Sequence, residues 1–210
     1  MKGLAIYFGL LFLVLSCKDN TSKKYSSPNR KVLSNSKSKE NPVPFKVSKI
    51  GDTLDVFNGV YVIYNKSISN TSGRHLTKDG YNLGLKWQCV EFVKRYYFEH
   101  LNHKMSNSYG HAKDFYNANL SDGSINSDRN LMQFSNRSKT KPKVNDLLIF
   151  DGNIFNKFGH VAIISKVSED TIEIVQQNVG KHSRDTIDLE FKDNKWYLDD
   201  SEILGWLRKN

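Results

Sequence analysis

Residues 85–97 read LKWQCVEFVKRYY, and the fold turns on how this stretch is read. Val90, Val93, Tyr97 and Leu101 recur at three- and four-residue intervals, which predicts an amphipathic helix opening at Cys89. Upstream, residues 56–64 (VFNGVYVIY) alternate and are rich in Val, Ile and Tyr, so they read as a strand or hairpin interrupted at Asn58-Gly59. Residues 65–83 are dense in Ser, Asn, Thr and Gly and read as a loop. A second helix is expected over 112–120, then an irregular polar stretch over 121–143. Residues 147–150, 160–167, 171–176 and 203–207 are β-rich runs, the first three closed by Gly, Asn or Asp. Helices first and strands second predict an α+β domain in which N-terminal helices pack on a small antiparallel β-sheet. No internal repeat is present.

The chain has 210 residues, 38% of them hydrophobic, enough for one ordinary domain with a sizeable core plus extensions. Its formal charge of +9 is unevenly placed. Residues 18–45 hold seven Lys and Arg against Asp19 and Glu40 with almost no apolar side chains, the composition of a flexible basic tether. Residues 46–210, the expected folded domain, carry 23 basic and 20 acidic residues. A nucleic-acid binder concentrates cations on its folded surface, so the charge pattern argues against that class.

The N-terminus reads as a targeting segment. Lys2 precedes an apolar run over 4–15, which fits a signal-peptide h-region and is too short for the ~20 residues that span a bilayer. The run ends in Val14-Leu15-Ser16-Cys17, which resembles the bacterial lipobox. Residues 1–17 are therefore expected to be a lipoprotein signal peptide with Cys17 lipidated. That implies a protein of the bacterial cell envelope, held to a membrane through its lipid. Lys18 in place of an aspartate hints at the outer membrane.

Cys17 and Cys89 are the only cysteines. With Cys17 lipidated, Cys89 has no intramolecular disulfide partner. No C-x-x-C or H-x-x-x-H spacing completes a thiolate metal site, so no metal is expected. Cys89 is then buried packing or a nucleophile. A helix N-terminus favours thiolate over thiol, and its free N–H groups can donate to a developing oxyanion. The best candidate for a base is His160, at the first position of an expected strand and after a glycine that permits close approach.

WQCVEFVKRYY, DLLIF, GHVAIISKV, IEIVQQN and EILGWL, in that order over 51–207, resemble the CHAP domain family of cysteine, histidine-dependent amidohydrolases/peptidases. Within it they look most like the amidase domain of glutathionylspermidine synthetase/amidase. The resemblance implies a papain-like α+β fold, a nucleophile at Cys89, a general base at His160, and amide hydrolysis through a thioester without a cofactor. The amidases place a glutamate third, where this chain has Gln176; Asn178, on the same strand face, is the alternative orienting residue. The Cys89 N–H and the Gln88 side chain are expected to form the oxyanion hole. Trp87 and Asn178 are expected to contact substrate. Lys94 stands where the amidases have an arginine that engages a substrate carboxylate, and it lacks the bidentate fork. Three functions follow: cleavage of peptidoglycan stem peptides, hydrolysis of glutathionylspermidine or another small amide, or an inactive CHAP-type module used for wall binding or adhesion.

Overall fold

The computed structural model describes residues 46–210; residues 1–45, with the expected signal, lipidated Cys17 and tether, lie outside the described residues. Strands come first. β1 (Thr53–Phe57) and β2 (Val60–Ile63) pair antiparallel across Asn58 and Gly59, whose φ values are 49° and 80°. A two-residue hairpin turn demands positive φ at both central positions, and Asn-Gly adopts it at least cost. The stretch expected to be a loop contains a second hairpin, β3 (Arg74–Leu76) with β4 (Asn82–Leu85).

The predicted helix forms as α1 (Cys89–Glu99). The second expected helix does not: 112–120 yields a single 3₁₀ turn, Lys113–Phe115. Asparagine side chains there compete with helical bonding. Asn117 Oδ1 accepts the Asn119 N–H at 3.0 Å, while the Asn117 N–H goes to Gln133 Oε1 at 2.9 Å.

Eight strands follow: β5 (Ser124–Asn126), β6 (Leu131–Ser135), β7 (Leu147–Phe150), β8 (His160–Val167), β9 (Thr171–Val175), β10 (Arg184–Lys192), β11 (Lys195–Leu198) and β12 (Ile203–Arg208). They make one antiparallel sheet in the order β11-β10-β9-β8-β7-β12-β6-β5. The expected α+β arrangement of helices on a small sheet is therefore overturned. The described residues are mostly β, with one α-helix against an eight-stranded sheet.

Alternation along the central strands explains how one helix suffices. Leu147, Ile149, Val161, Ile163 and Val175 pack with Phe92, Val93, Tyr96 and Tyr97 of α1. The intervening Leu148, Phe150, Ala162, Ile164 and Ile174 turn to the other face and meet Ile187, Leu189, Leu198 and Trp206. No helix covers that second face among the described residues, yet Leu148, Ala162, Ile164 and Trp206 are fully buried. The sheet must curl so that its own strands close the cluster, as twist and bulges permit. Helix α1 consequently has one side available to β8, and its N-terminus meets the start of that strand.

Candidate active site

Cys89 is the first residue of α1 and Gln88 its N-cap, with no side-chain cap bond. The first-turn N–H groups therefore lack side-chain partners, giving the sulfur a positive surround. The N–H groups of Val161 and Val90 also face the sulfur. Val161 follows His160, so this places the start of β8 against the start of α1. Cys89 and His160 line one cleft of about 870 Å³, together with Ile68, Gln88, Tyr109 and Asn178. Cys89 is 9% exposed, at the cleft floor.

Gly159 lets His160 sit there. Its φ is +73°, and an added Cβ would stand 2.5 Å from the Phe150 carbonyl oxygen. Only glycine tolerates both the conformation and that approach. His160 Nε2 lies 2.9 Å from Gln176 Oε1. An amide oxygen only accepts, so Nε2 carries the proton and Nδ1 keeps its lone pair. Of the two expected orienting residues, Gln176 makes this contact with the ring and Asn178 bonds Gln88 and Asn65 instead.

The charge state differs from that expected of a helix-capping thiol. Burial pushes the Cys89 thiol up to about 11, outweighing the N–H groups that favour the thiolate. Burial likewise pushes the His160 imidazole down to about 4, the Gln176 bond opposing it only in part. The resting pair is a neutral thiol beside a neutral imidazole.

Gln88 lines the cleft with its amide committed elsewhere. Its Nε2 donates to Ile68 O (3.1 Å) and Asn70 O (2.7 Å), and its Oε1 accepts from Asn178 Nδ2 (2.6 Å). Asn178 in turn accepts from Asn65 Nδ2 at 2.9 Å. These amides fasten the loop that bears Ile68 and forms one rim. Trp87 is not among the cleft residues; at φ 67° it packs edge-on to His75, with centroids 6.1 Å apart. Lys94 also lies outside the cleft lining. It is 1% exposed and donates to the carbonyls of Asn82 and Ser108.

Sequence reasoning missed what joins the two halves of the site. Gln177, fully buried, accepts the Ile63 N–H (2.7 Å) and donates to Gln88 O (3.0 Å) and Glu91 Oε2 (3.0 Å). Glu91 is buried too, and its Oε1 meets Arg95 Nε and His75 Nδ1, each at 2.7 Å. This network ties the first turn of α1, which bears Cys89, to the residues just beyond β9, where Gln176 lies. The repeated glutamine in VQQN was the available signal. Among the described residues no cluster of three or more His, Cys, Asp or Glu is placed to hold a metal.

Residues 79–178 match the family model described as the CHAP domain. The chain is 32% identical over 139 residues to a bifunctional glutathionylspermidine synthetase/amidase of Escherichia coli strain K12, covering 60% of this chain and 22% of that protein. It is 28% identical over 155 residues to a trypanothione synthetase of Crithidia fasciculata, covering 68% and 24%. The chain thus spans about a quarter of the length of these curated relatives. A solved structure titled "The crystal structure of Ly7917" is similar at 13% identity over 69% of this chain and 58% of that one. Its TM-score of 0.36 is too low to bear on the fold. The family match and the amidase relative support a cysteine- and histidine-dependent amidohydrolase in general.

Proposed function

From the premise that residues 79–178 form a CHAP domain, we propose that this protein hydrolyses amide bonds of peptidoglycan stem peptides, with Cys89 as nucleophile, His160 as base and Gln176 as its orienting partner. The observation that carries the reading is the meeting of Cys89, at the start of α1, with a His160 whose Nε2–H is fixed on Gln176, on the wall of one open cleft. His160 Nδ1 takes the Sγ proton as sulfur attacks the scissile carbonyl. The Cys89 N–H at the helix N-terminus donates to the oxyanion. The imidazolium then protonates the leaving amine, and a thioester remains. Water, activated by His160, releases the acid and restores the thiol. Every proton moves between sulfur, Nδ1, leaving amine and water.

The wall substrate rests on the expected lipoprotein signal, which sets the domain in the cell envelope beside stem peptides. The relatives named glutathionylspermidine synthetase/amidase and trypanothione synthetase favour a second reading, hydrolysis of a small peptide–polyamine amide. One experiment separates them. Purified sacculi and glutathionylspermidine are each incubated with the wild type and with Cys89→Ala, and products are identified by mass spectrometry. New amino termini or N-acetylmuramoyl-L-alanine cleavage, dependent on Cys89, support the wall reading. Spermidine release alone supports the second. Sacculi that hold the protein without being cut would sink both and leave a binding module.

A further inference from the structure

The turn between β5 and β6 sends one cation into the interior. Arg129 is 1% exposed, and among the described residues no carboxylate comes within ion-pair distance of it. Burying a guanidinium is costly unless acceptors meet its donors. Here the acceptors are three backbone carbonyls of one neighbouring stretch. Nη1 donates to Asn107 O (2.6 Å) and Tyr109 O (3.1 Å), and Nη2 to Tyr109 O (3.1 Å) and Asp114 O (3.2 Å). The guanidinium carbon stands 3.9 Å from the centre of the Phe115 ring, and Nε is buried without an acceptor among the described residues. An apolar side chain would fill this space without that desolvation, but it would leave the carbonyls without donors.

The stretch so held is a wall of the cleft. Tyr109, Gly110, His111, Ala112 and Asp114 line it together with Cys89 and His160, whereas Arg129 itself is not among the cleft residues. Gly110, at φ +113°, curls the chain over the guanidinium, and a Cβ there would stand 3.1 Å from Nη2. The following turn, Lys113–Phe115, backs the base. The Lys113 N–H donates to Phe158 O at 3.1 Å, and a Cβ added to Gly159 would stand 3.0 Å from Lys113 Cβ. Gly159 precedes His160, so the peptide that seats the imidazole rests on the turn that Arg129 holds. The backbone of Arg129 is fixed from another side: Asn126 Oδ1 accepts its N–H (3.2 Å), and His103 Nε2 donates to its carbonyl (2.9 Å).

We propose that Arg129 is a positioning residue for catalysis: its guanidinium sets the 107–114 wall and the seat of His160, and so governs how often the imidazole stands in line with the sulfur. The inference rests on the amidohydrolase reading above and adds to it a residue outside the cleft. A residue remote from the chemistry can act this way because a shift of about 1 Å at the reacting groups costs up to ~100-fold in rate.

The test compares Arg129→Met, Arg129→Lys and a destabilised control, Ile187→Ala, in the core on the other face of the sheet. Each protein is assayed well below its own melting temperature, so that only folded molecules report. The first readout is the rate of Cys89 alkylation by iodoacetamide across pH, which needs no substrate. Arg129→Met should lose about half or more of the part of that rate that depends on His160. Arg129→Lys keeps the charge but reaches fewer carbonyls, and it should fall between Arg129→Met and the wild type. Ile187→Ala should match the wild type. The second readout is turnover of whichever of sacculi and glutathionylspermidine the wild type cuts. In Arg129→Met, kcat should fall about tenfold or more, with KM within about threefold. Should Arg129→Met fail to fold, Gly110→Ala strikes the same contact from the loop side and should show both losses. A wild-type alkylation profile and kcat in the folded variant, equal losses in Ile187→Ala, or a rise in KM alone overturns the proposal. A wild type that cuts neither substrate removes the proposed function, and the alkylation readout then decides the role of Arg129 by itself.

Discussion

Replacing Gln176 by glutamate tests the chemistry most directly, because it changes the charge facing His160 and almost nothing in shape. A thiol at about 11 beside an imidazole at about 4 differ by seven units, so proton transfer from sulfur to Nδ1 costs ~10 kcal/mol before the charges attract. At a separation of about 4 Å, attraction would return ~4 kcal/mol with an effective dielectric near 20. The thiolate–imidazolium pair then lies ~5 to 6 kcal/mol above the neutral pair, a population of about 10⁻⁴. A carboxylate in place of the Gln176 oxygen, 2.9 Å from Nε2, raises the imidazole by ~1 to 3 units. The ion pair should grow by about tenfold to a thousandfold. The assay is the second-order rate of iodoacetamide alkylation of Cys89 from pH 4 to 10, with His160→Ala as baseline. At pH 6 the wild type should react about tenfold or more slowly than free cysteine, whose thiolate fraction there is ~0.3%. Gln176→Glu should react faster than wild type and fall off on the acid side at a higher pH. A wild type that outpaces free cysteine at pH 6, or a Gln176→Glu variant with an unchanged profile, would refute the neutral resting pair.

Gly159→Ala should cost about 2 to 4 kcal/mol and abolish the His160 dependence of alkylation, because the φ of +73° and the 2.5 Å approach to Phe150 O must both give way; a full melting temperature would contradict this. Gln177→Leu removes buried bonds to Ile63, Gln88 and Glu91 and should lower stability by about 3 kcal/mol, read as a lowered denaturant midpoint with an unchanged slope. Burial pulls Lys94 down to about 7, so the folded protein binds fewer protons than the unfolded chain from there to the ordinary value near 10.5. Stability from this group rises with pH across that window, by up to ~1.4 kcal/mol per unit, and Lys94→Met should flatten the rise in urea titrations at pH 6 to 9.

The sequence made the local elements legible wherever one period dominated. The 56–64 hairpin, α1 and the cores of β7, β8, β9 and β12 lie where Asn-Gly, the spacing of Val90, Val93 and Tyr97, and the β-branched runs put them. The architecture was misread because the missing strands have weak patterns. β10 (RDTIDLEFK) carries Ile187 and Leu189 at period two among charged residues, and Asp193-Asn194, at φ 52° and 59°, turns the chain into β11. That is a hairpin turn of the Asn-Gly kind without its glycine. β3 and β5 are three residues each, and β6 (LMQFS) lacks a clean alternation; all are set by partners distant in sequence, and no window of one strand contains that information. Counting them as loop left too little sheet, and the expected helix over 112–120 filled the gap.

The placement of the site residues divides along the same physical line. Where Cys89, His160 and Gln176 lie among the elements was legible because each depends on its neighbours in sequence: a helix start, a glycine before a strand, a glutamine just past a strand. Trp87, Lys94 and Gln88 turned on where a side chain points, and orientation is decided by the whole packing. Lys94 shows how. It sits five residues beyond Cys89 on α1, and the turn of the helix carries it to the carbonyls of Asn82 and Ser108 and the ring of Tyr81. An amine there steadies the wall of the cleft without lining it, whereas Arg74 of the neighbouring hairpin does line it. Gln177 follows the same logic from the other direction. Its neighbour Gln176 meets His160 while it meets Glu91, so two successive residues just beyond β9 hold the imidazole and the first turn of α1. A buried amide thus ties the helix start that carries Cys89 to the chain beyond β9 that carries Gln176.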